Sequence, residues 1–333
     1  MELDSSAIEY ATTMTLRAIS IASLLELSAL SSSAIGAPPP PTVSIADRAI
    51  ATLSISGFPD FLAPEGRSVW TTNENRIDRL ELGTRGPTLS VAMPEPCGAP
   101  VVAFDSLWVA SCEEKSVYRV DTRSGHIIAT IPTGLADPGG ELSIASGAAS
   151  VWILSNSEGL LSRIDPQTNQ TVASIRVKPH SYAAAFGYKS VWITNSDSDS
   201  IQRIDPRSNL VVATIPVGPG PRFLTAGEGA VWTLNQGDGS VTRINPSTNA
   251  AVASIAVGMT GIGGDIAEGG GSIWVRGKKQ LLARIDPATN QVMEIFSPVA
   301  GSGAVRVADD LVWVTARDTK TVWVLRPSAQ NGR

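Results

Sequence analysis

Residues 190–258 carry one pattern twice. SVWITNSDSDSIQRIDPRSNLVVATIPVG is followed by AVWTLNQGDGSVTRINPSTNAAVASIAVG, and Trp232 falls 40 residues after Trp192. A period of that length, built from short apolar runs and turn clusters without helical spacing, marks a radial β-repeat. Each unit divides into four strands: an inner run (PRFLTAG), a second (AVWTLN), a third (SVTRIN) and an outer one (AVASIAVG). The clusters Asn235-Gln-Gly-Asp-Gly239 and Asn245-Pro-Ser-Thr-Asn249 lie between them as turns. The small-apolar-Trp motif recurs at Trp70, Trp108, Trp152, Trp192, Trp232, Trp274 and Trp313, with spacings between 38 and 44. The sequence therefore predicts an all-β fold, a seven-bladed β-propeller of four-stranded antiparallel blades.

The two ends of the repeat are complementary. Ala49-Ile-Ala-Thr-Leu-Ser-Ile-Ser56 matches an outer strand with no earlier strands before it. Leu311 to Arg326 supplies a second and third strand with no outer strand after them. A ring without open edges results if the N-terminal strand completes the last blade. The predicted organisation is a leader and Pro-rich spacer over 1–41, one propeller over 42–327, and a disordered tail over 328–333. Within the leader, Met14 to Ala37 has one positive charge (Arg17), a mostly apolar run (Ala18 to Leu30) and small residues (SSSAIGA). That order is signal-like, and it predicts a secreted or periplasmic protein.

Composition narrows the partners. A net charge of −5 and 17% charged residues argue against nucleic acid. The repeat region holds no apolar run long enough for a transmembrane span, and the expected state is a monomer. Two cysteines and two histidines are too few for a thiolate or imidazole metal cage. Cys97 and Cys112 are placed as a disulfide: with the hairpin turn at Phe104-Asp105 they stand opposite one another across blade two.

The repeated residues read as blade structure. The tryptophans are expected between blades. The arginines of the third strand (Arg119, Arg163, Arg203, Arg243, Arg284), with the Asp-Pro-x-Thr-Asn turns, are expected to serve their own blade. Residues that break the repeat are more informative. Loops entering first strands and leaving second strands open on one face, around the mouth of the axial channel. There the sequence places Asp60, Glu141, His180, Tyr182, Arg222 and Asp265, with Asn195, Asn235, Gln236 and Arg276 at second-strand ends. Carboxylates, an imidazole, a phenol and guanidinium groups converging on one mouth compose a ligand site.

VWITNSDSDSIQRIDPRSNLVVATIPVG closely resembles the YVTN-type propeller repeat, and the second-strand tryptophans resemble the virginiamycin B lyase-like (streptogramin lyase-like) family. The resemblance covers 49–326. It implies seven blades and, in the lyases, a magnesium-assisted elimination using a His and glutamates at the mouth. Those lyases read W-F-T-E in the second strand. Here the matching positions are Asn73, Ser111, Ser155, Asn195 and Asn235, with no Glu-x-His pair. The sequence favours an exported propeller that binds a small molecule, glycan or peptide at the mouth. The alternatives are a magnesium-assisted lyase or lactonase-like hydrolase, with His180 as base and Glu141 and Asp265 holding magnesium or calcium, and a structural envelope or surface-layer module.

Overall fold

The computed structural model describes residues 38–327 apart from 138 and 140. Seven sheets stand in a ring, each ordered from an inner to an outer strand. Blade four shows the plan, with strands Ala184–Gly187, Ser190–Asn195, Ser200–Asp205 and Leu210–Pro216. Its register runs Ala185↔Trp192↔Arg203↔Ala213. The second strand is buried at all six positions, because each sheet is covered on both faces by its neighbours. All seven motif tryptophans are at most 1% exposed. Burying so large a ring between sheets stabilises the contact of each blade with the next.

The outer strand carries a one-residue bulge in six blades; in blade four the register shifts between Arg203 and Ile204. The bulged residue is apolar and half exposed, as with Val172, Val212 and Val252. A bulge disrupts the regular row of unpaired amides along an edge, which discourages pairing with other chains.

The N-terminal strand does complete the ring. Ala49–Ser54 pairs antiparallel with Thr321–Leu325, so blade seven takes its outer strand from the far end of the chain. One feature departs from expectation. Thr42–Ser44 adds in parallel to the outer strand of blade six, Gln291–Ser297, and makes that blade five-stranded. The amide of Ile295 also donates to the Pro41 carbonyl. A helical turn, Ile45–Arg48, follows with Ile45 buried, and Arg48 pairs with Glu294 of blade six at 3.0 Å. The segment thus straps two blades together before entering the second of them.

Four of the five third-strand arginines serve the next blade as well as their own, which corrects the sequence reading for those four, while Arg284 bonds to Ser272 and Glu294 of its own blade. Arg203 stacks on Trp192 with its guanidinium 5.0 Å from the ring centroid, and its Nε donates to Ser190 Oγ at 2.8 Å. Its Nη1 then reaches blade five, donating to the Pro246 carbonyl and to Asn249 Oδ1 at 2.8 and 2.9 Å. Arg119, Arg163 and Arg243 do the same toward Asn169, Asn209 and Asn290. This explains the Asn that ends each turn motif. It tolerates the left-handed backbone there (φ 55–60° at these four residues) and offers an amide oxygen to the preceding blade.

Cys97 and Cys112 are disulfide-bonded with Cα atoms 5.9 Å apart. They are not directly opposite. Cys97 faces Ala110 and Val101 faces Trp108, so the strand bulges between them. Gly98 opens the bulge at φ 66°, where an added Cβ would lie 2.8 Å from Leu142. The displaced Ala99 exchanges backbone hydrogen bonds with Leu142 and Ile144, tying blade two to the strand entering blade three. Among the described residues no helix is long and apolar enough to cross a membrane.

Candidate functional site at the channel mouth

The entering loops and second-strand ends surround a cavity of about 890 Å³ on one face of the ring. Its floor is ionic. Arg222, in the first strand of blade five, reaches across the axis to Asp137 and Glu141 in the long connection between blades two and three. The Nε–Oε2 separation to Glu141 is 3.1 Å, an ion pair without the alignment of a hydrogen bond. Glu141 also accepts from the amide of Gly263 at the entry to blade six. The Arg222 guanidinium stacks on the Tyr182 ring, 3.9 Å from its centroid. One arginine therefore links the entering segments of blades three and five, and Glu141 extends the link to blade six. The network lies across the axial channel and turns its mouth into a bowl.

Asp60 lines the same bowl. Burial pushes its carboxyl up to about 6. Arg317, at 3.6 Å, and Arg276 act in the opposite direction, while Asp265 and Glu141 add to the rise. Burial likewise raises Glu141, against the pull of Arg222 and the Gly263 amide. Phe58 and Phe61 give the blade-one side an apolar wall, with Phe61 5.8 Å from Phe223 across the axis. The Cys97–Cys112 disulfide forms part of the blade-two wall.

The structure distributes the remaining sequence-predicted residues elsewhere. Asp265 is 1% exposed, and its carboxylate accepts from the Ile266 and Val305 amides and from Arg306. Arg276 is fully buried and donates to the carbonyls of Thr315, Ser302 and Gly277. Both brace blade six against blade seven. Asn195 holds the turn around it, donating to the Pro179 carbonyl and to Ser181 and accepting from the Ser198 amide. Asn235 donates to Ser240 and Thr242 of the neighbouring strand. Gln236 is buried beside Gly220 and Gly261, to which its backbone is bonded. His180 is not among the bowl's lining residues. Its ring pairs with Asp197 at the surface.

These placements do not fit a divalent cation. Glu141 and Asp265 are engaged with different arginines and amides, and His180 is turned to Asp197. Among the described residues no group of three or more His, Cys, Asp or Glu is arranged to hold a metal.

Sequence reasoning missed Asp137, Glu74, Lys278 and Arg317. The last three share a signal: each is four residues after a motif tryptophan, a column occupied elsewhere by Cys112, Asn156, Ser196 and Gln236. Reading that column alongside the entering loops brings out these three. Asp137 lies in a connection without a counterpart in other blades, and no column contains it.

The architecture is that of a seven-bladed propeller with a bowl built from non-repeated residues. A streptogramin B lyase has the same fold at a TM-score of 0.67 and 18% identity, over 81% of this chain and 94% of that one. The virginiamycin B lyase from Staphylococcus aureus gives 0.68 and 16%, over 83% and 98%. The hydrazine synthase of Kuenenia stuttgartiensis gives 0.66 and 15%, over 82% and 97%. These likenesses establish the fold, and the different proteins that share it show that the fold does not choose the chemistry. No protein-family model matches the chain, and no curated protein does.

Proposed function

We propose that this chain is an exported propeller that binds a small molecule, glycan or peptide in the bowl. The observation that carries this reading is the Arg222–Asp137–Glu141 floor. Its residues have no counterparts in the repeat, so blade formation does not account for them, and they join three entering segments in the lining of a cavity of ligand size. Export is supported by the disulfide, a bond that persists in oxidising compartments. The segment on which the signal-like reading rests, 14–37, lies outside the described residues.

The test is a thermal-shift and native mass-spectrometry screen of small molecules, oligosaccharides and short peptides on the full chain. Hits are then repeated on Arg222→Ala and Asp137→Asn. Loss of binding in both supports the bowl. Unchanged binding in both moves the site elsewhere.

A second reading, an enzyme in the same bowl, draws on Asp60. A carboxyl at about 6 is poised to accept a proton from a bound substrate near neutral pH. In that case Asp60→Asn removes turnover while ligand affinity survives.

A further inference from the structure

The charges around the bowl are unevenly matched. Its lining includes six carboxylates and three cationic side chains, so it is acidic as a whole. Arg222 is committed to Asp137 and Glu141, and Arg317 lies beside Asp60 and over the Phe58 ring. Arg317 is itself exposed, and the third cation, Lys278 on the blade-six side, has no ion-pair partner among the described residues. Glu74, Glu95 and Glu113, on the blade-one and blade-two side, have no ion-pair partner among the described residues. They stand next to the apolar wall of Phe58 and Phe61 and the disulfide. Ile262, 68% exposed, offers a second apolar contact on the rim of blade six.

From this arrangement, and resting on the reading of the bowl as a binding site, we propose that its ligand is cationic and amphipathic. An apolar or aromatic body lies against Phe58, Phe61 and Ile262, and positive groups meet Glu74, Glu95 and Glu113. The cavity itself supplies the site, and the three glutamates supply its selectivity. Arg222 is excluded as a receiver of anions, because two carboxylates already face it. An anionic ligand would meet uncompensated like charge along the whole blade-one and blade-two side. A basic peptide with an aromatic residue is the simplest molecule with this chemistry.

The experiment uses three blocked tripeptides of one shape, Arg-Phe-Arg, Gln-Phe-Gln and Glu-Phe-Glu, each acetylated and amidated. They are titrated calorimetrically into the full chain at low ionic strength. Affinity is expected to fall in that order, by about tenfold overall, since exposed ion pairs are individually weak. The triple variant Glu74→Gln/Glu95→Gln/Glu113→Gln, whose substitutions are all at exposed positions, should bind the three peptides alike at an unchanged Tm. Added salt should flatten the order in the wild type. If the Gln or Glu peptide binds as tightly as the Arg peptide, the cationic assignment is overturned. Ser302→Trp, which fills the bowl, separates the two readings. Charge-insensitive binding lost in Ser302→Trp leaves the bowl as the site and removes only its selectivity. Binding retained in Ser302→Trp overturns the bowl itself. Absence of binding by all three peptides overturns the proposed ligand class.

Discussion

Blades two to five and the seam around blade seven solve the same packing problem with different residues. In the first region each blade holds the next through one arginine, stacked on its own tryptophan and bonded to its neighbour's turn. At the seam the device disappears. Blade seven has Val324 where that arginine would stand, opposite Trp313, and the indole Nε1 of Trp313 has no partner among the described residues. The other motif tryptophans donate to an oxygen five residues earlier, as Trp192 does to the Gly187 carbonyl at 3.0 Å. Braces on the mouth side and the N-terminal strap replace it: Asp265 with Arg306, Arg276 with the Thr315 and Ser302 carbonyls, and Thr315 with the Asp60 carbonyl. A repeated contact can be inherited by every blade, but the blade assembled from both chain ends has to be joined by residues particular to it.

The largest effect that tests this contrast comes from the closing strand. Removing residues 49–54 should leave Thr321–Leu325 as an open edge, and the protein should aggregate or lose its cooperative melt. A chain beginning at residue 38 should melt like the full chain. Equal Tm values for all three chains, by calorimetry, would show that the seam needs no closing strand.

Next come the two kinds of arginine. Arg276→Ala, at the seam, orphans buried carbonyls and leaves a cavity, and should destabilise by about 3–4 kcal/mol. Arg203→Ala, in the repeated region, removes a partly exposed stack and its turn bonds, and should destabilise by about 2 kcal/mol. Urea titrations rank the pair, and a reversed order would mean that the repeated staple dominates even at the seam.

A finer comparison uses the indoles. Trp192→Phe loses a buried hydrogen bond that Trp313→Phe does not have to lose. The first should therefore destabilise more than the second, by about 1 kcal/mol.

The smallest effect is titration of the mouth. Asp60 sits at about 6 in the folded protein against 3.8 ordinarily. Its contribution to stability is fully present below about pH 4 and is lost as pH rises through about 6. The groups facing it are Arg317, Arg276, Asp265 and Glu141, and the two carboxyls are shifted in the same direction. Asp60→Asn should thus remove only part of the slope of Tm between pH 4 and 7, about 1 kcal/mol or less after solvent screening. A slope identical in Asp60→Asn and wild type would assign the whole effect to the other carboxyls.

How far the sequence reaches follows the same division. The tryptophan column and the complementary ends made the ring, its blade count and its closure legible, because each rests on a pattern that repeats. The asparagine ending each turn was visible as a column, but its partner lies 46 residues away for Arg203 and Asn249, beyond what local reading connects. At the mouth, counting from the tryptophans found Asp60, Glu141, Tyr182 and Arg222. It could not separate them from Asp265 and Arg276, since position around a ring does not reveal whether a side chain turns inward to a neighbour or up into the bowl. The bulge at Gly98 was hidden for a related reason: it is set by Leu142 of the next blade, not by its own hairpin.

The closing strand has a consequence in time. Synthesis releases Ala49–Ser54 early, and its partner Thr321–Leu325 emerges only after roughly 270 further residues. At about 5–20 residues per second, that strand stays unpaired for something like 15–50 s. Six blades can form during this interval without closing the circle. A growing chain of this design therefore presents an arc with two sticky ends, and neighbouring chains on one ribosome cluster could join through them. Holding the early strand apart until the last blade arrives would be a task for whatever attends the chain as it is made.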